Sequence, residues 1–170
     1  MKNLIFPNLL QQANALDYDY KDGNGIDFEP YTEFLSQDDV TTWLKAWTGN
    51  KTVEFDELYV FGQDGTGGYA AIWIADRSKD FLNNPIIFLG SEGELGIVAS
   101  NFYDYLWVLA SGHGPSEAVN NLDVDRESNE VFMKFAETHS RTKNRPVAEI
   151  RESANILYPG FIKRIDNLCQ

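Results

Sequence analysis

The sequence is poor in the residues that most often build catalytic and metal centres. It has one cysteine, Cys169, and two histidines, His113 and His139, among 170 residues. One cysteine cannot form an internal disulfide or a zinc site of several thiolates, and no histidine lies at metal-ligand spacing from it. Nothing in the sequence pairs either histidine with a serine or cysteine nucleophile. We therefore expect no catalytic residue, no metal and no cofactor.

Long apolar runs are also missing. No segment approaches the roughly 20 apolar residues that a membrane-spanning helix needs. The apolar stretch at residues 4–6 is too short for a signal peptide, and Pro7 interrupts it. The hydrophobic share of 43% nevertheless suffices for a globular core. We expect a single domain over residues 1–170, a cytoplasmic location and no membrane partner.

Basic residues are scarce, and their distribution is uneven. The chain has 26 acidic and 14 basic residues, a net charge of -12. Residues 1–64 contain 12 acids and 4 bases, residues 65–125 contain 8 and 2, and residues 126–170 contain 6 and 8. Such a field repels a nucleic-acid backbone and accelerates association with a basic protein. The alternative is that the acidity serves solubility alone.

The N-terminal third alternates between predicted helices and loops. Apolar spacing predicts a short helix near residues 7–15, and the polar, glycine-rich segment Asp17–Gly25 predicts a loop. A short strand is expected at Ile26–Phe28. Ser36 is typical of a helix N-cap, and Gly49 of the C-cap that ends the same helix.

The middle of the chain predicts four strands joined by short turns, which favours an antiparallel meander. A helix capped by Ser100 follows, with Phe102, Tyr105, Leu106 and Leu109 on one face, and the remainder is helical. The predicted strands lie at 57–61, 68–75, 86–89 and 95–99, and the later helices near 129–141, 146–157 and 161–168. The expected fold class is α+β: a central, mostly antiparallel sheet of four to six strands flanked by helices, with a helical C-terminal region.

Two loops were tested for ligand chemistry, and both fail. The segment Gly62–Gly68 matches neither phosphate-binding glycine pattern, no lysine follows it, and Asp64 would repel a phosphate. Aligning Gly25 with the glycine of an EF-hand loop places Tyr20 and Tyr31 at ligand positions. We therefore interpret the first segment as a hairpin turn and the second as a solvated acidic loop.

The glycine-rich segment carries a family resemblance. The run Leu58-Tyr-Val-Phe-Gly-Gln-Asp-Gly-Thr-Gly-Gly-Tyr-Ala-Ala-Ile-Trp73 resembles the signature of the SUKH superfamily, in which a strand ends in a Gly/Asp-rich turn and an aromatic-bearing strand follows. The blocks Asn84–Leu89 and Gly96–Leu106, and the helix Ser36–Trp47, resemble further parts of that family. The resemblance covers about residues 28–110, and a helical extension of about 115–170 exceeds the shared core.

The resemblance implies a mixed sheet flanked by helices and a function in protein binding. Bacterial members are commonly immunity proteins that bind and neutralise a toxin, and yeast relatives regulate cell-wall assembly through protein contacts. A non-enzymatic immunity protein with a cognate toxin of basic surface is therefore the leading hypothesis. A regulatory scaffold with several partners, and a hydrolase using Asp64 and His113, are the alternatives.

Contacts with such a partner should come from exposed acids and aromatics, since complementary charge and aromatic side chains dominate interfaces. The candidates are Asp17, Asp19, Tyr20 and Asp22 in the N-terminal loop, Asp38 and Asp39 at a helix start, and Asp64 at the hairpin.

Overall fold

A computed structural model describes residues 5–169, so both ends of the predicted 1–170 domain lie outside the described residues. These residues form five strands and seven α-helices, which confirms the α+β class. The strands are β1 (Glu29–Pro30), β2 (Leu58–Gln63), β3 (Tyr69–Trp73), β4 (Ile86–Leu89) and β5 (Leu95–Ala99). The helices are α1 (Asn8–Asn14), α2 (Gln37–Thr48), α3 (Phe102–Ala110), α4 (Pro115–Asn120), α5 (Glu130–His139), α6 (Val147–Leu157) and α7 (Phe161–Asp166).

The sheet is an antiparallel meander in the order β1-β2-β3-β4-β5, so the predicted meander is confirmed. The pairing of β2 with β3 shifts register between Val60 and Gly62, which leaves Phe61 as a bulge. The Phe61 carbonyl then accepts from the Tyr31 amide and the Asn14 side chain. The bulge thereby ties the first loop and α1 to the sheet.

Each face of the sheet covers its own apolar core. One core contains Phe61, Ile72 and Phe88 and packs against α1, α3 and α5. The other contains Val60, Ile87 and Ile97 and packs against α2 and α7. Alternate residues along a strand point to opposite faces, so the nearly continuous apolar strands supply both cores.

The helix α2 follows its sequence signals closely. The Ser36 hydroxyl accepts from the Asp39 amide at the N-cap, and Gly49 ends the helix with φ 70°, as predicted. The short first strand, in contrast, lies at Glu29–Pro30 rather than at the predicted Ile26–Phe28. An edge position tolerates Pro30, because its missing N–H faces away from the sheet.

One prediction about α3 was wrong. Asn101, rather than Ser100, is the N-cap, and its side-chain oxygen accepts from the Asp104 amide. The residues predicted on one face, Phe102, Tyr105, Leu106 and Leu109, are buried, and so are the other five residues of the helix, so α3 lies inside the molecule. The loops and helices that follow in the chain cover its outer side, and α5 is its main neighbour.

The C-terminal helices α5, α6 and α7 pack against the sheet and against α3. The helix α6 packs against β5, where the Arg151 Nε donates to the Ile97 carbonyl at 3.1 Å. No helix within residues 5–169 is both long enough and apolar enough to cross a membrane.

Candidate functional site

The glycine-rich turn between β2 and β3 uses its polar groups internally. Asp64 is only 6% exposed, and its Oδ1 accepts from the Thr66 amide, the Thr66 hydroxyl and the Gly68 amide. The Asp27 carboxylate accepts from the Gly65 amide. The Asp64 carboxylate is thus hydrogen-bonded within the turn and is too buried to offer a partner much contact.

Two glycines of this turn are required, one by its backbone conformation and the other by the close approach of neighbouring atoms. Gly67 has φ 88°, a left-handed conformation that favours glycine. A Cβ atom on Gly68 would lie 2.8 Å from Phe88 Cζ and 3.0 Å from Gly90 Cα. The segment therefore organises the hairpin and its contact with β4.

The four candidates of the N-terminal loop, Asp17, Asp19, Tyr20 and Asp22, are all exposed. The loop has an unusual backbone, because the non-glycine residues Lys21 and Asp22 have φ 44° and 53°. It forms one wall of a cleft of about 450 Å³, whose other wall is the segment 124–129.

Arg126 joins the two walls of this cleft, and the buried Glu117 carboxylate holds the end of the loop nearby. Arg126 Nη1 donates to the Gly25 carbonyl at 2.6 Å. Glu117, which is 6% exposed, accepts from the Asp27 and Gly114 amides. Burial raises the pKa of Glu117, while these hydrogen bonds and Arg126 oppose the increase. The result is a structural clamp on the loop.

His113 lies beside this clamp. Its Nδ1 is 2.9 Å from the Ser111 hydroxyl, which itself donates to the Val108 carbonyl, and its Nε2 is buried without a partner. Burial lowers the pKa of His113, and the Arg126 charge lowers it further. Both effects favour the neutral form of the imidazole.

Asp64 and His113, the two residues of the hydrolase hypothesis, do not form a hydrogen-bonded pair in the structure. No hydrogen bond among residues 5–169 joins Asp64 to His113, because the first is engaged by its own turn and the second by Ser111. The same part of the chain contains no group of three or more His, Cys, Asp or Glu residues placed to hold a metal ion.

The last two candidates, Asp38 and Asp39, are exposed in the first turn of α2. Asp39 Oδ2 accepts from the Ser36 hydroxyl at 2.6 Å, so its carboxylate also stabilises the helix start. The Asp38 side chain makes no hydrogen bond within the described residues, which leaves its carboxylate open to solvent.

Half-buried aromatic rings lie next to Asp39. The Trp43 and Tyr69 rings are 4.7 Å apart, and Trp43 stacks on Trp47 at 5.8 Å. The Tyr31 hydroxyl donates to Gln63 Oε1 at 2.8 Å. We call the surface formed by Tyr31, Trp43, Tyr69, Glu29 and Asp39 the acidic aromatic face.

Acidic groups dominate the electrostatics of this face. Burial raises the pKa of Tyr31 to about 12, with smaller contributions from Tyr69 and Glu29. Burial also raises the pKa of Tyr69, and Asp39 adds to the increase. Residues 22–44 contain six acids and no lysine or arginine. Both phenols therefore stay protonated in a negative field; the Tyr31 hydroxyl is used by Gln63, and the Tyr69 hydroxyl has no hydrogen-bond partner among the described residues.

The structure divides the predicted contact residues into three groups. The N-terminal loop residues line or flank the cleft, Asp39 belongs to the acidic aromatic face while Asp38 is exposed beside it in the first turn of α2, and Asp64 is buried in its turn. Sequence reasoning did not identify Tyr31 and Tyr69 as surface candidates. Glu117 was also missed, although the spacing Gly114-Pro115-x-Glu117 is a helix-start signal that could have indicated it.

Comparison with known proteins adds no assignment. A scan against protein-family models, a search of curated proteins and a search of solved structures each gave no match.

Proposed function

We propose that this chain is a non-catalytic protein-binding module of the toxin-immunity type, and that it binds a partner of basic surface through the acidic aromatic face. The observation that carries the proposal is the combination on one face of half-buried Trp and Tyr rings with exposed carboxylates and no neighbouring base in residues 22–44. Aromatic residues dominate the binding energy of protein interfaces.

The rings are pre-positioned, which lowers the entropic cost of binding. Trp43 is held between Trp47 and Tyr69, and the Trp47 indole donates to the Gly90 carbonyl at 2.7 Å. Tyr31 is held by Gln63, which in turn donates to Glu29 at 2.9 Å. The contact surface thus rests on the sheet and on α2 instead of on a free loop.

The surrounding charge suits a basic partner. Negative potential on one side and positive potential on the other accelerate encounter, and the effect weakens with salt. A toxin that acts on nucleic acid needs a basic surface to bind its substrate, so an acidic protein can occupy that surface in its place.

The test is co-expression with the toxin candidate encoded beside this chain. The wild type should protect the cells and co-purify with the toxin. Asp39→Lys should weaken binding about tenfold at low salt and Trp43→Ala by about a hundredfold, since a central aromatic contributes about 2–4 kcal/mol.

Glu130→Lys is the matched control, because Glu130 is an exposed acid in the first turn of another helix, α5. It makes the same charge change at a similar position in the helix dipole and should bind like the wild type. If Asp39→Lys and Glu130→Lys weaken binding equally, net charge and not this face is responsible. If no neighbouring toxin binds or is neutralised, the immunity function is wrong.

A further inference from the structure

The chain is acidic, yet one of its surface depressions is lined by positive charge alone. This shallow cleft of about 470 Å³ lies between α3, the loop before α5 and the start of α6. Its charged lining residues are Arg126 and Arg145, and its polar ones are Ser111, Ser128 and Asn144. We call it the arginine cleft.

Arg126 brings to this cleft a positive charge that forms no ion pair, although it acts on the buried Glu117 carboxylate. Its guanidinium forms no ion pair with any carboxylate among residues 5–169, and only backbone carbonyls accept from it. Its Nε is buried and has no hydrogen-bond partner. An anion in the cleft cannot reach this buried atom, but the Arg126 Nη2 donates no hydrogen bond among the described residues and is free to bind one.

Arg145 is held in place by other contacts. Its Nη2 donates to Asp104 at 2.8 Å, and its Nη1 donates to Ser153 at 2.7 Å. Asp104 is 2% exposed and partly compensates the Arg145 charge. The second guanidinium is thus fixed at the cleft wall without having to be ordered on binding.

The start of α6 adds further donors. Pro146 lines the cleft and is the N-cap residue of this 11-residue helix, and no side chain caps it. The first amides of a helix and its dipole both favour an anion. The exposed Ser128 and Asn144 lie on the same lining, and their hydroxyl and amide groups can donate as well.

We propose that the arginine cleft binds a small phosphate-class anion, either inorganic phosphate or a phosphomonoester. Two guanidiniums, two side-chain donors and a helix N-terminus match the charge and the several acceptor oxygens of a phosphate better than those of a single carboxylate. The cleft volume leaves room for an organic substituent on the phosphate. This inference does not depend on the proposed toxin binding, because Arg126 and Arg145 lie outside the acidic aromatic face.

The test is a titration followed by backbone amide NMR at pH 7.5 and constant ionic strength. Inorganic phosphate and phenyl phosphate are the probes, and acetate is the comparison anion. We expect saturable shifts at Ser111, Ser128, Asn144 and Val147 with both phosphates and only weak, linear shifts with acetate. Tighter binding of phenyl phosphate would identify a phosphomonoester site, and equal binding would identify a site for the phosphate group itself.

Two variants test the site from different sides. Ser128→Asp places a negative charge in the cleft and should weaken phosphate binding at least tenfold, while Thr32→Asp, an exposed residue elsewhere, should not change it. Arg126→Gln should also weaken binding at least tenfold, with Arg77→Gln as the control for loss of one exposed arginine. Because Arg126 also holds the Gly25 carbonyl, Ser128→Asp is the variant that keeps this contact.

Three results would overturn the proposal. The first is the absence of saturable shifts with either phosphate, and the second is acetate binding as tight as that of phosphate. The third is a Ser128→Asp variant that binds phosphate like the wild type.

Discussion

Two segments of this chain are rich in glycine and aspartate, and they use these residues in opposite ways. In the hairpin turn Gly62–Gly68, the Asp64 carboxylate is buried and accepts three hydrogen bonds from its own turn. In the loop Asp17–Gly25, the acids are exposed, and Lys21 and Asp22 have left-handed backbones. Segments of similar composition thus form a hydrogen-bonded hairpin turn at 62–68 and an exposed acidic loop at 17–25.

The difference follows from the flanking segments. The turn joins two paired strands, so its amides point inward and require an internal acceptor. The N-terminal loop joins α1 to the two-residue β1 and is held at its end by Arg126 and Glu117. Only in the second segment do the carboxylates remain available to a partner.

The largest expected effect comes from removing the acceptor of the turn. Asp64→Ala should lower the free energy of unfolding by about 3 kcal/mol, because buried amides lose a charged acceptor. Urea denaturation followed by circular dichroism measures the change. Asp22→Ala in the loop should stay within about 0.5 kcal/mol of the wild type. Equal losses in the two variants would show that the two segments do not differ as described.

A smaller loss is expected from filling the space at the turn. Gly68→Ala should cost about 2 kcal/mol, since the new Cβ would lie 2.8 Å from Phe88 Cζ and 3.0 Å from Gly90 Cα. In the loop, Gly23→Ala should cost about 1 kcal/mol, because its Cβ would make only ordinary contact with Tyr20, 3.6 Å from Oη, and only the backbone conformation at φ 92° is strained. The same urea experiment compares them, and a costlier Gly23→Ala would contradict this ranking.

A stabilising change is expected in the loop alone. Asp22→Gly should raise the free energy of unfolding by about 0.5 kcal/mol, because glycine adopts the φ of 53° without the Cβ penalty. Asp38→Gly in α2 is the matched control and should lower the free energy of unfolding by about 1 kcal/mol. Thermal unfolding at equal ionic strength distinguishes the two signs. A destabilised Asp22→Gly variant would mean that Asp22 makes a stabilising interaction in solution.

The smallest expected effect is a gradual dependence of the free energy of unfolding on pH, which comes from His113. The folded pKa of His113 is lowered from the ordinary value of 6.5, so the unfolded chain binds the proton more tightly. The stability from neutral His113 is complete above pH 6.5 and is lost as the pH falls below it. His113→Asn should remove the pH dependence that comes from His113. The contribution of Glu117, whose pKa is raised, should be the same in both proteins. Parallel stability curves of wild type and variant between pH 7.5 and 5 would contradict it.

The sequence predicted most of the fold because its signals are local. Ser36, Gly49 and the hairpin glycines act on their own turns, so the helix α2 and the four longer strands were found close to their observed positions. The Asn101 cap was missed because Ser100 and Asn101 are both good caps and tertiary contacts decide between them. The SUKH resemblance and the immunity function remain a hypothesis.

What the sequence determined by itself is the acidic charge, the order of the elements and the role of the glycine-rich turn. Only the tertiary structure decided which acids are free, because hydrogen bonding and burial depend on residues distant in the chain. It placed Asp39 beside Trp43 and Tyr69, and it brought Arg126 and Arg145 to one cleft. Such groupings arise when the chain folds back on itself, and linear spacing does not encode them.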